Sequence, residues 1–290
     1  MSNFKSLRSA FTMVEIVFVI IILGIVSSIG AEMIADVYEG YILQRAQHRA
    51  SVKTDIATTQ IANRLRYAIP GTVYRIKSDG SYESVETSLS ADGSDYIGIQ
   101  WVGTDNDSFI ALKDDDTGAN RRPGWSGFCD LDNSSRTNLN SPGSNFNIAD
   151  TIIQNLSKDS SGNAKSNLGM SAVFFPGDNQ EHNIADATST ADLEDDLSLD
   201  DDGAVTFVEH YKLAWSSYAL VVEDNDLFLY YNFEPTPQTP YTNGQKELLM
   251  KNITTFKFKA AGQTIRIKIC KEEQISEDVN VTSCKEKAVF

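Results

Sequence analysis

The hydrophobic pattern divides this chain into two regimes. Residues 16–31 are apolar almost without interruption, broken only by Gly24, Gly30, Ser27 and Ser28. Residues 13–31 would make roughly 28 Å of helix, close to one bilayer hydrocarbon core. From 31 to 69 there is no proline, and Ile42, Ala46, Ala50, Ala57, Ile61, Leu65 and Ala68 recur at helical steps. Arg45, Arg49, Lys53, Asp55 and Arg64 fall on the opposite face, and Pro70-Gly71 closes the pattern. The spacing predicts one long helix over 11–69, apolar all round in its first half and amphipathic in its second. Gly24 and Gly30 are the weakest points of the first half.

After residue 70 the period changes from helical to alternating, with short runs bounded by Gly, Asn, Asp and Ser. Strands are expected at 73–76, 96–102, 109–113 and 172–175. Residues 211–222 and 227–233 read as a hairpin around Glu223-Asp224-Asn225-Asp226, and 253–260 with 263–270 as another around Gly262. In the last of these Ile265, Ile267 and Ile269 share one face, with Arg266, Lys268 and Cys270 on the other. Residues 114–144, 157–167 and 183–203 are polar and long, which predicts loops that are functional or mobile. The expected class is α+β: a long N-terminal helix packed on an antiparallel, β-rich head.

Composition narrows what such a head can do. The 290 residues carry 40 acidic and 25 basic side chains, a net charge of −15, and no Lys/Arg run that could neutralise phosphates, so no nucleic-acid partner is expected. There are three cysteines and three histidines. Cys270 and Cys284 are close enough in sequence to bridge, and closing a loop of about 15 residues would contribute roughly 3 kcal/mol in the chain-entropy view. Cys129 is left over, either as a buried thiol or as the true partner of one of the other two.

The unusual residue is Glu15, a carboxylate at the head of the apolar run, where a charge in hydrocarbon costs roughly 2.5–3.5 kcal/mol. Lys5 and Arg8 precede the run and Glu32, Asp36 and Glu39 follow it. The positive-inside rule therefore places the N-terminus in the cytoplasm and everything after Ala31 outside. A secretory signal peptide cut near Ser28-Ile29-Gly30-Ala31 is one competitor, though its apolar core would be shorter. A plain anchor whose Glu15 reaches up to the headgroups is another.

Ala10-Phe11-Thr12-Met13-Val14-Glu15-Ile16-Val17, after its two cations, resembles the prepilin motif of type IV pilins and pseudopilins. The resemblance covers about twenty residues, with Ala10 where the family usually has glycine. It implies cleavage by prepilin peptidase between Ala10 and Phe11, methylation of the new terminus, and an assembly role for Glu15. The carboxylate would then be paired with the freed amine of its own or a neighbouring subunit. It also implies a division into a leader (1–10), a transmembrane helix half (11–31), an amphipathic stalk (32–69) and an extracytoplasmic head (70–290). The implied setting is the bacterial inner membrane, with other pilins as partners in a filament. The length looks more like the large J- or W-type minor subunits than a small major pilin.

Two runs in the head suggest chemistry. In 198–209, Ser198, Asp200, Asp202 and Glu209 fall at the first, third, fifth and twelfth positions of an EF-hand-like loop, with Gly203 at its turn. Hard oxygen ligands at that spacing would take Ca²⁺; the alternative is a solvated acidic loop leading into a strand. In 121–130, Gly124-Trp125-Ser126-Gly127 fails the nucleophile-elbow pattern by one position, and its aromatics are expected to pin a turn. There is no phosphate-binding glycine loop and no HExxH, and no cofactor is required. A non-catalytic filament subunit is the leading expectation. A signal-anchored binding protein or adhesin with a calcium-stiffened head is the second, and a membrane-tethered hydrolase the third.

Overall fold

The computed structural model describes residues 12–86, 96–114, 121–176, 183–189, 194–200, 205–261, 264–276 and 279–289. The chain opens with α1 (Met13–Leu65), β1 (Tyr74–Lys77), β2 (Tyr82–Ser84), β3 (Tyr96–Gly103), α2 (Asn106–Ile110), β4 (Leu112–Asp114), β5 (Arg121–Pro123) and β6 (Asn138–Asn140). Then come α3 (Phe146–Leu156), β7 (Ala172–Phe175), β8 (Asn183–Ser189), β9 (Asp196–Asp200), β10 (Lys212–Ala214) and β11 (Ser216–Glu223). The remaining strands are β12 (Asp226–Phe233), β13 (Gln245–Met250), β14 (Ile253–Ala261), β15 (Thr264–Gln274) and β16 (Asn280–Val289).

Helix α1 runs unbroken for 53 residues, about 80 Å. Its buried positions are Ala50, Thr54, Ala57, Thr58, Ile61, Ala62 and Leu65: part of the predicted stripe joined by two threonines and Ala62, while Ile42, Ala46 and Ala68 are half-buried. Those threonines fit because their hydroxyls donate to the carbonyls of Ala50 and Thr54, at 2.7 and 2.6 Å. The helix stops at Leu65 rather than 69. The next residues are captured by β3: Ile69 N–H donates to Val102 O at 2.9 Å, and Thr104 N–H donates to Tyr67 O at 2.7 Å.

Three antiparallel sheets form most of the head. A six-stranded sheet has the order β13-β12-β11-β3-β1-β2, a five-stranded sheet β10-β7-β8-β9-β6, and a three-stranded sheet β14-β15-β16, while β4 and β5 pair separately. The β11–β12 hairpin turns through Asp224 and Asn225, both at positive φ (50° and 65°), the geometry a two-residue type I′ turn requires. Residues 211–222, expected as one strand, are two. Ala214 ends β10 in the five-stranded sheet and Ser216 begins β11 in the six-stranded one, with buried Trp215 at the crossing. Residues 109–113 are likewise not a strand, since Phe109 and Ile110 close α2 and only Leu112 and Lys113 enter β4.

Two main cores result. One joins Ile61 and Leu65 of α1 to Ile99, Trp101, Leu220 and Leu227 of the six-stranded sheet and to Ile267 and Ile269 of β15. The other fills the space among the five-stranded sheet, α3 and Trp125 with Leu139, Phe146, Ile153, Val173, Leu197 and Leu213. The polar stretch 183–203 was expected to be a loop; β8 and β9 lie within it, and Leu197 and Leu199 alternate inward between half-buried or exposed polar residues.

Cys270 and Cys284 face each other across β15 and β16 and are disulfide-bonded. Arg266 and Lys268 point outward as the alternation predicts, but Cys270 is buried. The β14–β15 register slips between Ile253 and Thr255, so Cys270 and Lys271 are buried in succession. Cys129 is a free, buried thiol.

Candidate functional site

The feature that sets this molecule apart is the free half of α1. No residue from Met13 to Arg49 is buried, and Ile16 to Ile29 carry their apolar side chains at about half exposure or more. It is the one helix among the described residues long and apolar enough to cross a membrane. A helix hydrophobic on all sides and in contact with nothing is stable only where something apolar surrounds it.

Its first turn is shaped by Thr12 and Glu15. Thr12 is the N-cap. Glu15 N–H donates to Thr12 Oγ1 at 3.4 Å, and Thr12 N–H donates to the Glu15 carboxylate at 3.5 Å, a reciprocal capping box. Both bonds are long, so the carboxylate is held lightly beside the positive end of the helix dipole. Ala10 and Phe11 lie outside the described residues. Below the apolar half, Glu32, Asp36 and Glu39 are exposed, and Arg45, Arg49 and Lys53 follow on the same helix, also exposed. Among the described residues, Arg49 alone of these six makes an ion pair, to Glu273 at 3.9 Å with the guanidinium half exposed. Lys287 Nζ adds a bond to Thr59 Oγ1 at 3.1 Å, fixing β16 to the stalk.

The calcium-loop reading meets a different geometry. Ser198 and Asp200 sit on β9, paired to β6 and β8, rather than on a coordinating loop. Extended backbone sends alternate side chains to one face in a line, whereas a calcium loop curls them round a point. Glu209 is exposed on a separate segment whose carbonyl accepts Cys129 N–H at 2.8 Å. Asp202 lies outside the described residues. Asp196 is the better-held carboxylate, accepting the side-chain amides of Asn138 and Asn140 at 2.8 and 2.9 Å. Among the described residues no three His, Cys, Asp or Glu side chains converge to hold a metal ion.

The 121–130 run is a packing element. Trp125 is buried and its indole N–H donates to Asp105 O at 2.8 Å. Beside it lies a hydroxyl cluster that sequence reasoning missed, because its members are far apart in the chain. Ser141 Oγ is 2.7 Å from Tyr211 Oη, 2.8 Å from Ser144 Oγ and 3.1 Å from Ser126 Oγ. Burial raises the Tyr211 phenol well above its ordinary value. Among the described residues none of these hydroxyls hydrogen-bonds a basic side chain, the partner an activated nucleophile uses. Two open grooves flank β13. One, of about 410 Å³, is lined by Arg64, Asp107, Trp215, Tyr218 and Tyr231 among others, and the second, of about 360 Å³, by Lys53, Lys251 and Lys271. Neither contains a histidine or cysteine.

Asp105 is a buried carboxyl of the head whose burial works against its charge. It caps α2 by accepting Ser108 N–H at 3.1 Å, yet among the described residues its other carboxylate oxygen, also buried, has no hydrogen-bond partner. Burial pushes its pKa up to about 6, with neighbouring Asp107 adding to the rise and the Ser108 bonds opposing it. A carboxyl whose folded pKa exceeds its unfolded value near 3.9 contributes stability that is complete below that value and is lost as pH rises through 6. The loss amounts to about 3 kcal/mol by pH 7.5. Urea unfolding of the full chain in detergent should therefore show Asp105→Asn, which keeps the capping oxygen, stabilising the protein at pH 7.5 by about that order. At pH 4 the two proteins should nearly coincide; equal gains at both pH values would remove this explanation.

Compared with known protein families, with characterised proteins and with solved structures, the chain matches none.

Proposed function

We propose that this protein is a type IV pilin-like subunit, a structural and assembly-initiating component of a type IV pilus or a type II secretion pseudopilus. The carrying observation is α1 itself: one continuous helix whose first half is apolar and uncovered and whose second half is welded to an antiparallel head. In this reading prepilin peptidase removes residues 1–10, Phe11 becomes the amino terminus, and the helix waits in the inner membrane with the head outside. The light hold on Glu15 by Thr12 supports the reading, since a carboxylate that accepts one backbone N–H at 3.5 Å is free to exchange partners. A freed amine in lipid is as costly as the acid, and pairing the two offsets both penalties. The subunit is non-catalytic and needs no cofactor; its partners are the peptidase, membrane lipid and neighbouring pilins.

The mass of the mature N-terminal peptide tests processing: cleavage before a methylated Phe11 is expected, and an intact Met1 favours the signal-anchored adhesin instead. Glu15→Ala should leave the head folded, because it lies far from either core, and reduce recovery of this chain in sheared filaments or partner complexes by tenfold or more. Undiminished recovery would sink the assembly role of Glu15.

A further inference from the structure

The three-stranded sheet gathers like charges that the sequence keeps apart. Lys257 stands directly opposite Lys268, and Lys259 opposite Arg266, across β14 and β15. All four side chains are exposed. Phe256, Phe258, Ile265, Ile267 and Ile269, which alternate with them, pack in or against the core that α1 completes. The cations therefore share the face turned away from the stalk. Cross-strand partners lie about 4.5–5.5 Å apart, and successive rungs on one face about 7 Å apart. Like charges set directly opposite repel. Among the described residues none of the four makes an ion pair, and this in a chain of net charge −15. On β16, Glu286 stands opposite Lys268 and Ala288 opposite Arg266, so the block stays strongly positive. Lysines on an edge strand guard it against pairing with other chains, which accounts for Lys257 and Lys259 on β14. Arg266 and Lys268 lie on the central strand β15, which needs no guard.

We propose that this face of β14 and β15 binds an acidic polysaccharide, a linear chain carrying one carboxylate on each sugar. Such binding does not depend on α1 entering a filament. The four cations are spread over a flat lattice and do not converge, so they cannot enclose one small anion. A polymer with evenly repeated charge meets them rung by rung, its step close to the rung spacing. The Arg266 guanidinium can take a carboxylate through two parallel bonds, and the lysines act as point charges. Each exposed contact is weak alone, and joining them on one polymer multiplies their effect. Nucleic acid fits this face less well. Phe256 and Phe258 are turned inward, so among the described residues the block has no aromatic ring beside it to stack a base. An acidic protein would bring an apolar anchor to the centre of its contact, and the block offers charged tips there. A hydrated sugar chain needs neither.

Titration calorimetry of polygalacturonate into the full chain in a non-ionic detergent tests the assignment, with dextran as the uncharged control. Saturable binding to polygalacturonate and none to dextran is expected. The affinity should fall about tenfold or more between about 50 and 200 mM salt, as counterions are released by each neutralised charge. Lys257→Gln with Lys268→Gln should reduce affinity by about tenfold. It should not lower the thermal midpoint, because it relieves a repulsion. Lys259→Gln with Arg266→Gln repeats the test at the neighbouring rung and decides the matter if the first pair fails to fold. Lys53→Gln with Lys251→Gln removes the same charge from the groove beside β13 and should change affinity by less than about twofold. Losses from this pair equal to those from the sheet pairs would show that binding follows net charge alone, and overturn the assignment. It is overturned equally by no binding of polygalacturonate at low salt, or by tighter binding of single-stranded DNA or polyglutamate under the same conditions.

Discussion

Replacing Trp125 with alanine should lower the stability of the head by about 3–5 kcal/mol, the range for deleting a large buried aromatic. The ring is 4 % exposed and joins the second core beside Cys129, Phe146 and Ala149. It also touches the rings of Phe109 and Tyr211, with centroids 4.8 and 5.7 Å away. Removing it leaves a cavity where α2, α3 and the five-stranded sheet meet and deprives the Asp105 carbonyl of the indole donor. Trp125→Phe separates the two effects: it keeps most of the packing and should cost only about 1–3 kcal/mol for the unpaired carbonyl. Urea unfolding followed by far-ultraviolet circular dichroism reads both variants without depending on the lost fluorophore. Equal, small losses would mean that the 121–130 run is a surface turn and no part of the core.

Gly98→Ala should be as damaging with a single added methyl. Gly98 lies in β3, between β1 and β11, opposite Ile76 and Val221. A Cβ at this position would stand 2.3 Å from the Leu220 carbonyl oxygen and 3.1 Å from Val221 Cα. Those are backbone atoms of a paired central strand, which cannot rotate aside as a side chain could. A loss of about 4 kcal/mol or more is expected, in the class of substitutions that disrupt a core directly. Gly80→Ala is the informative contrast. It has open space around it and only a positive φ of 83° to satisfy, so about 1 kcal/mol is expected. If the two variants unfold at the same urea concentration, β3 and β11 are not as close as described.

The contrast between what sequence conveyed and what it concealed follows burial pattern. Long periodic segments were legible. The apolar and amphipathic halves of α1, β7, the β11–β12 hairpin and β14 all stand close to where their spacing puts them. Segments whose apolar residues are few were not. In β9 two leucines alternate with Asp196, Ser198 and Asp200, a sound strand pattern that the acidic composition disguised as loop and then as a calcium site. In α3, Phe146, Ala149 and Ile153 form a helical face behind an Asn145 cap, but three apolar positions between long polar stretches are too few to establish a period. The break at Trp215 had no local signature, because Leu213 and Leu220 are buried alike in different sheets. The candidate site divides in the same way. Glu15 and the charged groups that follow it on α1 could be read from order and spacing, whereas the Ser126–Ser141–Ser144–Tyr211 cluster exists only after folding brings its members together.

The attachment of α1 also defines how the molecule would bear mechanical load. The stalk lies on β15 and β16, the last strands of the chain, and is tied there through Arg49–Glu273 and Thr59–Lys287. Traction along the helix would thus enter the head at its C-terminal hairpin. The Cys270–Cys284 bond crosses that hairpin, so peeling of β16 from β15 must halt at a covalent rung before the sheet can unzip.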